Sequence, residues 1–319
     1  MTSPLSASRS SRLAGCAATA RCRAPATCGE LVQGATEAGD FLVNCPIDLF
    51  SEATVETFAY RGIRGIDTRF GKVERAIEIA SRAFRLDAAS RIDIRSPIPR
   101  GKGMASSTAD MSAALGAFLS ANAIALSPSA FGAVLAMVEP GDCVHYPGIA
   151  HIDHLTGRLY ESLPVPPGLN VLVFDCGGEV ETLAFDRERA RAVYRANADA
   201  VCGTLRRLKH GLKAGDPREI GQAATESAAL NQKILHKPQF DALCRIAFQN
   251  GAFGVNCAHS GSVLGIVHGA GDGRGEILRD QVASAFGADL TYLGEYAIID
   301  GGCHGGVAQA RPRWGTRLP

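Results

Sequence analysis

Between Ser96 and Asp110 the chain reads SPIPRGKGMASSTAD, a run suited to holding an anion. Gly101, Gly103 and Ala105 keep side chains small, so backbone N–H groups can face a phosphate. Ser106, Ser107 and Thr108 add hydroxyls able to bond phosphate oxygens or Mg2+. Lys102 is placed to screen phosphate charge, or else is an exposed loop lysine. The run follows RIDIR and opens the periodicity Met111, Ala114, Leu115, Phe118, Leu119. It therefore lies at a helix start, where unpaired N–H groups and the helix dipole favour negative charge. The P-loop pattern G-x-x-x-x-G-K-[ST] fails, because Gly103 follows Lys102, and G-x-G-x-x-G fails at Ser106. The plainer reading is a glycine turn before a serine-capped helix.

Other chemistry-bearing residues carry less. His145, His151, Asp153 and His154 lie close together, but H-x-x-H is not the i, i+4 pair of a zinc helix, and Tyr146-Pro147-Gly148 interrupts the run. The 10 cysteines contain no C-x-x-C pair, which argues against zinc and against a disulfide framework. Cys303-His304, flanked by glycines, reads as a tight turn. With 33 Lys+Arg against 32 Asp+Glu, the chain lacks the basic excess of a nucleic-acid protein. No apolar run reaches the ~18 residues of a membrane span. Residues 1–22 read as a disordered tail, although their Ser- and Arg-rich composition resembles a transit peptide. The expected location is the cytoplasm.

The elements that must position these residues are mixed. Strand patterns fall at 41–43, 53–58, 91–95, 169–175, 262–268 and 292–299, and helical periodicity at 73–84 and 111–119. A helix near 129–138 should stop at Pro140-Gly141. Further helices are expected over 186–213, 217–233 and 238–250. Without regular β-α-β alternation the class is α+β. The linker candidate 164–168 divides the chain into an N-terminal domain, 23–165, and a C-terminal domain, 166–319.

Pro99-x-x-x-Gly103-Met104-Ala105-Ser106-Ser107-Thr108-Ala109 resembles the P-x-x-x-G-L-G-S-S-A-A loop of the GHMP kinases, small-molecule kinases that include galactokinase, homoserine kinase and mevalonate kinase. Met104, Ala105 and Thr108 depart from that pattern. Residues 24–31, APATCGEL, resemble a shortened form of the family's N-terminal P-G-K-x-x-L-x-G-E element, and VNCAHSGSVLG at 255–265 resembles its T-G-A-G-x-G-G element. The resemblance covers about 22–305. The segments CRAPATCGELVQG, CPIDLFSEATV, VLVFDCGGEVETLAFD and CAHSGSVLGIV are most similar to the branch that phosphorylates L-threonine for the aminopropanol phosphate linker of cobalamin.

The resemblance implies a ribosomal-S5-like N-terminal α/β domain, a ferredoxin-like C-terminal α+β domain, ATP and Mg2+. Pro99, Arg100, Gly101, Lys102, Gly103, Met104, Ala105, Ser106, Ser107 and Thr108 would form the nucleotide loop. Asp142 and Ser106 are the catalytic candidates. Asp142 would take the hydroxyl proton or, alternatively, stabilise its turn. Ser107 and Glu139 are the Mg2+ candidates. Cys28, Gly29, Glu30, Asp48, His259, Ser260 and Gly261 are the acceptor candidates. Among them Glu30 or Asp48 would take an ammonium group, and the amides of 259–261, or Arg100, a carboxylate. Homoserine is the nearest alternative acceptor, and a ligand sensor without catalysis is the alternative of another class. The partners implied are ATP and L-threonine, with no nucleic acid, no membrane, and a homodimer left open.

Overall fold

The structure, a computed structural model, describes residues 16–37, 39–58, 63–64, 70–86, 89–178 and 186–308. Its frame is a continuous antiparallel hairpin, β1 (Cys16–Thr36) and β2 (Gly39–Phe58), far longer than an ordinary strand pair. Register shifts at Pro25/Ala26 and Thr27/Glu30 bend it. On β1, Ala20, Cys22, Ala24, Ala26 and Cys28 are buried while Arg21 and Arg23 are exposed, the two-residue period of a half-buried strand. These side chains are small, so a helix can lie close. That helix is α2 (Ser106–Ala121), apolar nearly all round because it sits inside the fold. Its Gly116 faces Cys22 Sγ, with no space for a Cβ.

Around this centre lie α1 (Gly71–Ala83), which buries Val73, Ala76, Ile77 and Ala80, and α3 (Pro128–Ala136), started by Pro128 and the Ser127 cap on Ala130 N–H. The strands β3 (Ile63–Arg64), β4 (Ala89–Arg95), β5 (Ile149–Asp153) and β6 (Arg158–Leu163) extend the sheet beyond β2. On the other side of β1 come β8 (Gly254–Cys257), β9 (Val263–Gly269), β7 (Leu169–Asp175) and β10 (Thr291–Ala297) in that order. They share a second core with α7 (Phe240–Gln249) and α8 (Arg274–Phe286) through Leu172, Phe174, Leu243, Leu264 and Leu278.

The α+β class holds, and several boundaries move. β1 starts at Cys16, inside the stretch expected as a tail; residues 1–15 lie outside the described residues. The single helix expected over 186–213 is two, α4 (Arg187–Ala196) and α5 (Ala198–Ala214), because Asn197 turns its side chain back onto Val193 O and ends the first. The strands β5, β6 and β8 and the helix α8 were not expected as such. The last strand among the described residues, β11 (His304–Ala308), returns to pair with Thr19–Arg23 of β1. No helix among the described residues is long and apolar enough to cross a membrane.

The helix α6 (Pro217–Asn231) is drawn onto β8 where Gly221 meets Phe253 O and Gly254. Gly221→Val should lower stability by about 1–3 kcal/mol or more by overpacking, read by urea unfolding.

Candidate active site

The phosphate-loop segment is held from two sides. Thr27 N–H donates to Met104 O and Gly29 N–H to Gly103 O, each at 3.2 Å, while Ser262 and Val263 N–H both bond Lys102 O at 3.0 and 3.1 Å. Gly103 (φ 81°) lies against Ala258 and Gly261, and Gly29 (φ 51°) against Cys257 and Ala258; a Cβ at any of Gly103, Gly261 or Gly29 would collide with these neighbours. Ala105 enters α2 in the left-handed region, φ 57°, at a mild cost for a residue with a Cβ. No side chain caps this helix start, and its first residues line the cavity it borders. That cavity, about 590 Å3, is lined by Phe70, Lys72, Arg100, residues 103–108, Glu139, Asp142 and Ser260, among others.

The charges around it are paired. Glu139 accepts from Ser107 Oγ at 2.5 Å and pairs with Lys72 Nζ at 2.5 Å. Arg100 lies over the Phe70 ring and binds Asp110 at 2.9 Å, whose other oxygen takes Ser51 Oγ at 2.6 Å. Arg100 lines this larger cavity and does not line the smaller pocket described below. Lys102 turns away from the cavity to Asp175 (2.8 Å) and Gly178 O (2.7 Å). Burial would raise the Asp175 carboxyl, but the donors Lys102, Ser262 and Gly177 outweigh it and hold it low. Pro99 shapes the loop without lining the cavity.

Asp142 stands where this cavity meets a smaller one of about 50 Å3. Its turn is fixed by Asn44, which donates to Asp142 O (3.2 Å) and accepts from Ala150 N–H (2.8 Å), and by Gly141 N–H on His154 O (3.2 Å). Cys143 follows in the left-handed region, φ 48°, local strain of a kind that gathers at functional sites. Burial, with Glu30 and Glu139 nearby, pushes the Asp142 carboxyl up to about 8. Asn44 was missed, because nothing in the sequence distinguishes an asparagine in a strand.

Glu30 lines both cavities. Its Oε2 accepts from His259 N–H (2.8 Å) and lies 2.9 Å from His259 Nδ1, while His259 Nε2 meets Ser227 Oγ at 3.0 Å. Burial alone would lower the imidazole, but Cys257 and Glu30 reverse that and raise it to about 10. His259 is thus a buried cation that orients Glu30 and lines neither cavity, a correction to its place among acceptor contacts. Cys28 is likewise buried, bonded to Asn256 Oδ1, its thiol pushed well up by burial. Asp48 is exposed and fastens Ala297 N–H at 2.8 Å, outside both cavities, because it ends the β2 segment bridged to Ile298. Ser260 lines both cavities, and Gly261 packs on Gly103.

The far wall of the smaller pocket is α4, with Arg187, Ala190, Arg191 and Tyr194 at one-face spacing; Arg191 Nε binds Asp40 at 2.8 Å. Sequence reasoning placed a helix here and no site. The i, i+3, i+4, i+7 pattern was the available signal.

The models for the GHMP kinases N terminal domain and the GHMP kinases C terminal domain match residues 71–146 and 208–288. The L-threonine kinase of Citrobacter freundii is 32% identical over 253 residues, covering 78% of this chain and 86% of that protein. This chain belongs to the GHMP kinases. The L-threonine kinase of Salmonella typhimurium is 31% identical over 250 residues, 78% of this chain and 82% of its own. The homoserine kinase of Cytophaga hutchinsonii shares the fold at TM-score 0.71 and 17% identity, covering 90% of this chain and 97% of its own. A mevalonate kinase does so at 0.66 and 15%, covering 88% and 99%. The two-domain architecture of this GHMP kinase is therefore the family's, and the enzyme is a kinase.

The folded His259 imidazole holds its proton up to about 10, against 6.5 for the free group. Its contribution to stability is complete below pH 6.5 and is lost as pH rises through about 10. His259→Gln should flatten that fall in urea-unfolding free energy and cost about 3 kcal/mol at neutral pH, where the buried pair is broken.

Proposed function

We propose that this GHMP kinase transfers the γ-phosphoryl group of ATP to the side-chain hydroxyl of L-threonine, giving O-phospho-L-threonine for the aminopropanol phosphate linker of cobalamin. The observation that carries the reading is the position of Asp142, between a loop of free amides and a small polar pocket. The choice of threonine is supported by two relatives named L-threonine kinase that align over 78% of the chain. Its unpaired cysteines among the described residues suit a reducing cytoplasm.

In this reading the amides and hydroxyls of residues 103–108 hold the phosphates, and Phe70 and Arg100 border the remainder of the nucleotide. Glu30 takes the acceptor ammonium with the oxygen that His259 leaves open. The pocket wall of Arg187 and Arg191 faces the acceptor carboxylate. Asp142 accepts the hydroxyl proton as the oxygen bonds the γ-phosphorus and the bond to ADP breaks. Ser106 Oγ, at the start of α2, bonds the transferring group.

Ser107 and Glu139 fit Mg2+: both offer hard oxygens, 2.5 Å apart, on the cavity wall. No cluster of three or more His, Cys, Asp or Glu able to hold a metal occurs among the described residues, so phosphates and waters would complete such a site. Mg2+ bound there would neutralise charge on the β- and γ-phosphates. Lys72, already paired with Glu139, holds that carboxylate in place.

The fold shared with a homoserine kinase supports a second reading, in which homoserine is the acceptor. With ATP and Mg2+, and threonine, homoserine, serine, ethanolamine and mevalonate as acceptors, ADP release should be fastest with L-threonine. Turnover with homoserine alone replaces the substrate assignment, and turnover with no acceptor favours a sensor. Asp142→Asn should cost about 10^2- to 10^4-fold in turnover. Because burial favours protonated Asp142, kcat/KM for the acceptor should rise with pH toward about 8, and the variant should lack that limb.

A further inference from the structure

The pocket behind Asp142 is lined by charges of both signs. Glu30, Asp40 and Asp142 bring carboxylates, and α4 brings Arg187 and Arg191, the latter paired with Asp40. Tyr194 continues the same helix face and lines the same pocket. It is 3% exposed, and its hydroxyl is buried with no hydrogen-bond partner. Native proteins bond nearly all of their buried polar groups, so an unbonded hydroxyl on a residue that lines a pocket points to something that enters the pocket. Burial, with the Glu30 and Asp40 carboxylates nearby, pushes the phenol well up, which keeps it protonated and able to donate. A neutral donor on the helix face that also carries Arg187 and Arg191 suits an anionic acceptor of its hydrogen bond.

A zwitterionic amino acid matches this polarity when its ammonium group lies toward Glu30 and its carboxylate toward α4. Resting on the reading of the acceptor as an amino acid, we propose that the Tyr194 hydroxyl donates to the α-carboxylate of the acceptor. Through that bond the enzyme distinguishes an amino acid from the amino alcohol that lacks the carboxylate. A pocket with a buried donor discriminates strongly against a ligand that leaves it unbonded, whereas an apolar wall discriminates weakly. The ring of Tyr194 packs in the main core, so Phe at this position keeps the packing and removes the donor alone.

The test compares wild type with Tyr194→Phe on L-threonine and on its decarboxylated analogue, 1-aminopropan-2-ol, at saturating ATP and Mg2+. The variant should raise KM for L-threonine by about 10- to 100-fold, the worth of one hydrogen bond to a charged group. The KM for ATP should stay within roughly twofold, and the preference for threonine over the amino alcohol should shrink about 10-fold or more. Without ligand the variant should melt no lower than wild type, because an unbonded buried hydroxyl has been removed. A preference unchanged within roughly twofold, or a clear fall in the unliganded melting temperature, overturns the proposal by making the hydroxyl inert or structural. If wild type uses homoserine instead of threonine, only the substrate assignment changes. The same comparison, homoserine against 3-aminopropan-1-ol, then decides the role of Tyr194. Turnover of no amino acid at all overturns both.

Discussion

The catalytic centre depends on a three-way approach of backbone. Gly103 of the phosphate loop packs on Ala258 and Gly261, and Gly29 of β1 on Cys257 and Ala258, so closely that none of these three glycines tolerates a Cβ. Main-chain bonds from Thr27, Gly29, Ser262 and Val263 hold Met104 O, Gly103 O and Lys102 O in place. Those bonds occupy the loop's carbonyls and leave the N–H groups of the helix start without side-chain caps. A loop proposed to present amides to a triphosphate needs its carbonyls satisfied from elsewhere. Here the N-terminal strand and the C-terminal loop do this for it, and that is why the site lies at their junction.

The same junction explains the electrostatics. Glu30, Glu139 and Asp142 are three carboxylates around one cavity, and their mutual repulsion needs relief. Lys72 sits on Glu139 and the buried His259 on Glu30. Asp142 has no such partner among the described residues, and burial first, then the two neighbouring carboxylates, makes it hold a proton more tightly. Once ionised, a carboxylate raised toward neutral pH is a stronger base than an ordinary aspartate, so burial and repulsion both act on the group proposed to do the proton transfer.

The phosphate loop was readable in the sequence because its chemistry is local: small residues, hydroxyls and a helix start within one short run. Asp142 and Glu139 were readable from the Pro140-Gly141 turn between them. β1 was not, because its buried positions are Ala and Cys with little strand preference of their own, and pairing with β2 supplies what propensity does not. The pocket wall on α4 was invisible for another reason. Arg187, Arg191 and Tyr194 look like a solvated helix face until the fold sets them opposite Glu30, far away in the chain. Asp48 was misplaced through its neighbourhood in sequence: its backbone belongs to β2, yet its side chain holds the end of β10.

A crystal structure with a non-hydrolysable ATP analogue, Mg2+ and L-threonine tests the central claim most directly. The account predicts the triphosphate against the amides of residues 103–108, with the threonine hydroxyl between the γ-phosphate and Asp142. A nucleotide bound outside this cavity, or a threonine whose hydroxyl lies out of hydrogen-bond reach of Asp142, would contradict it.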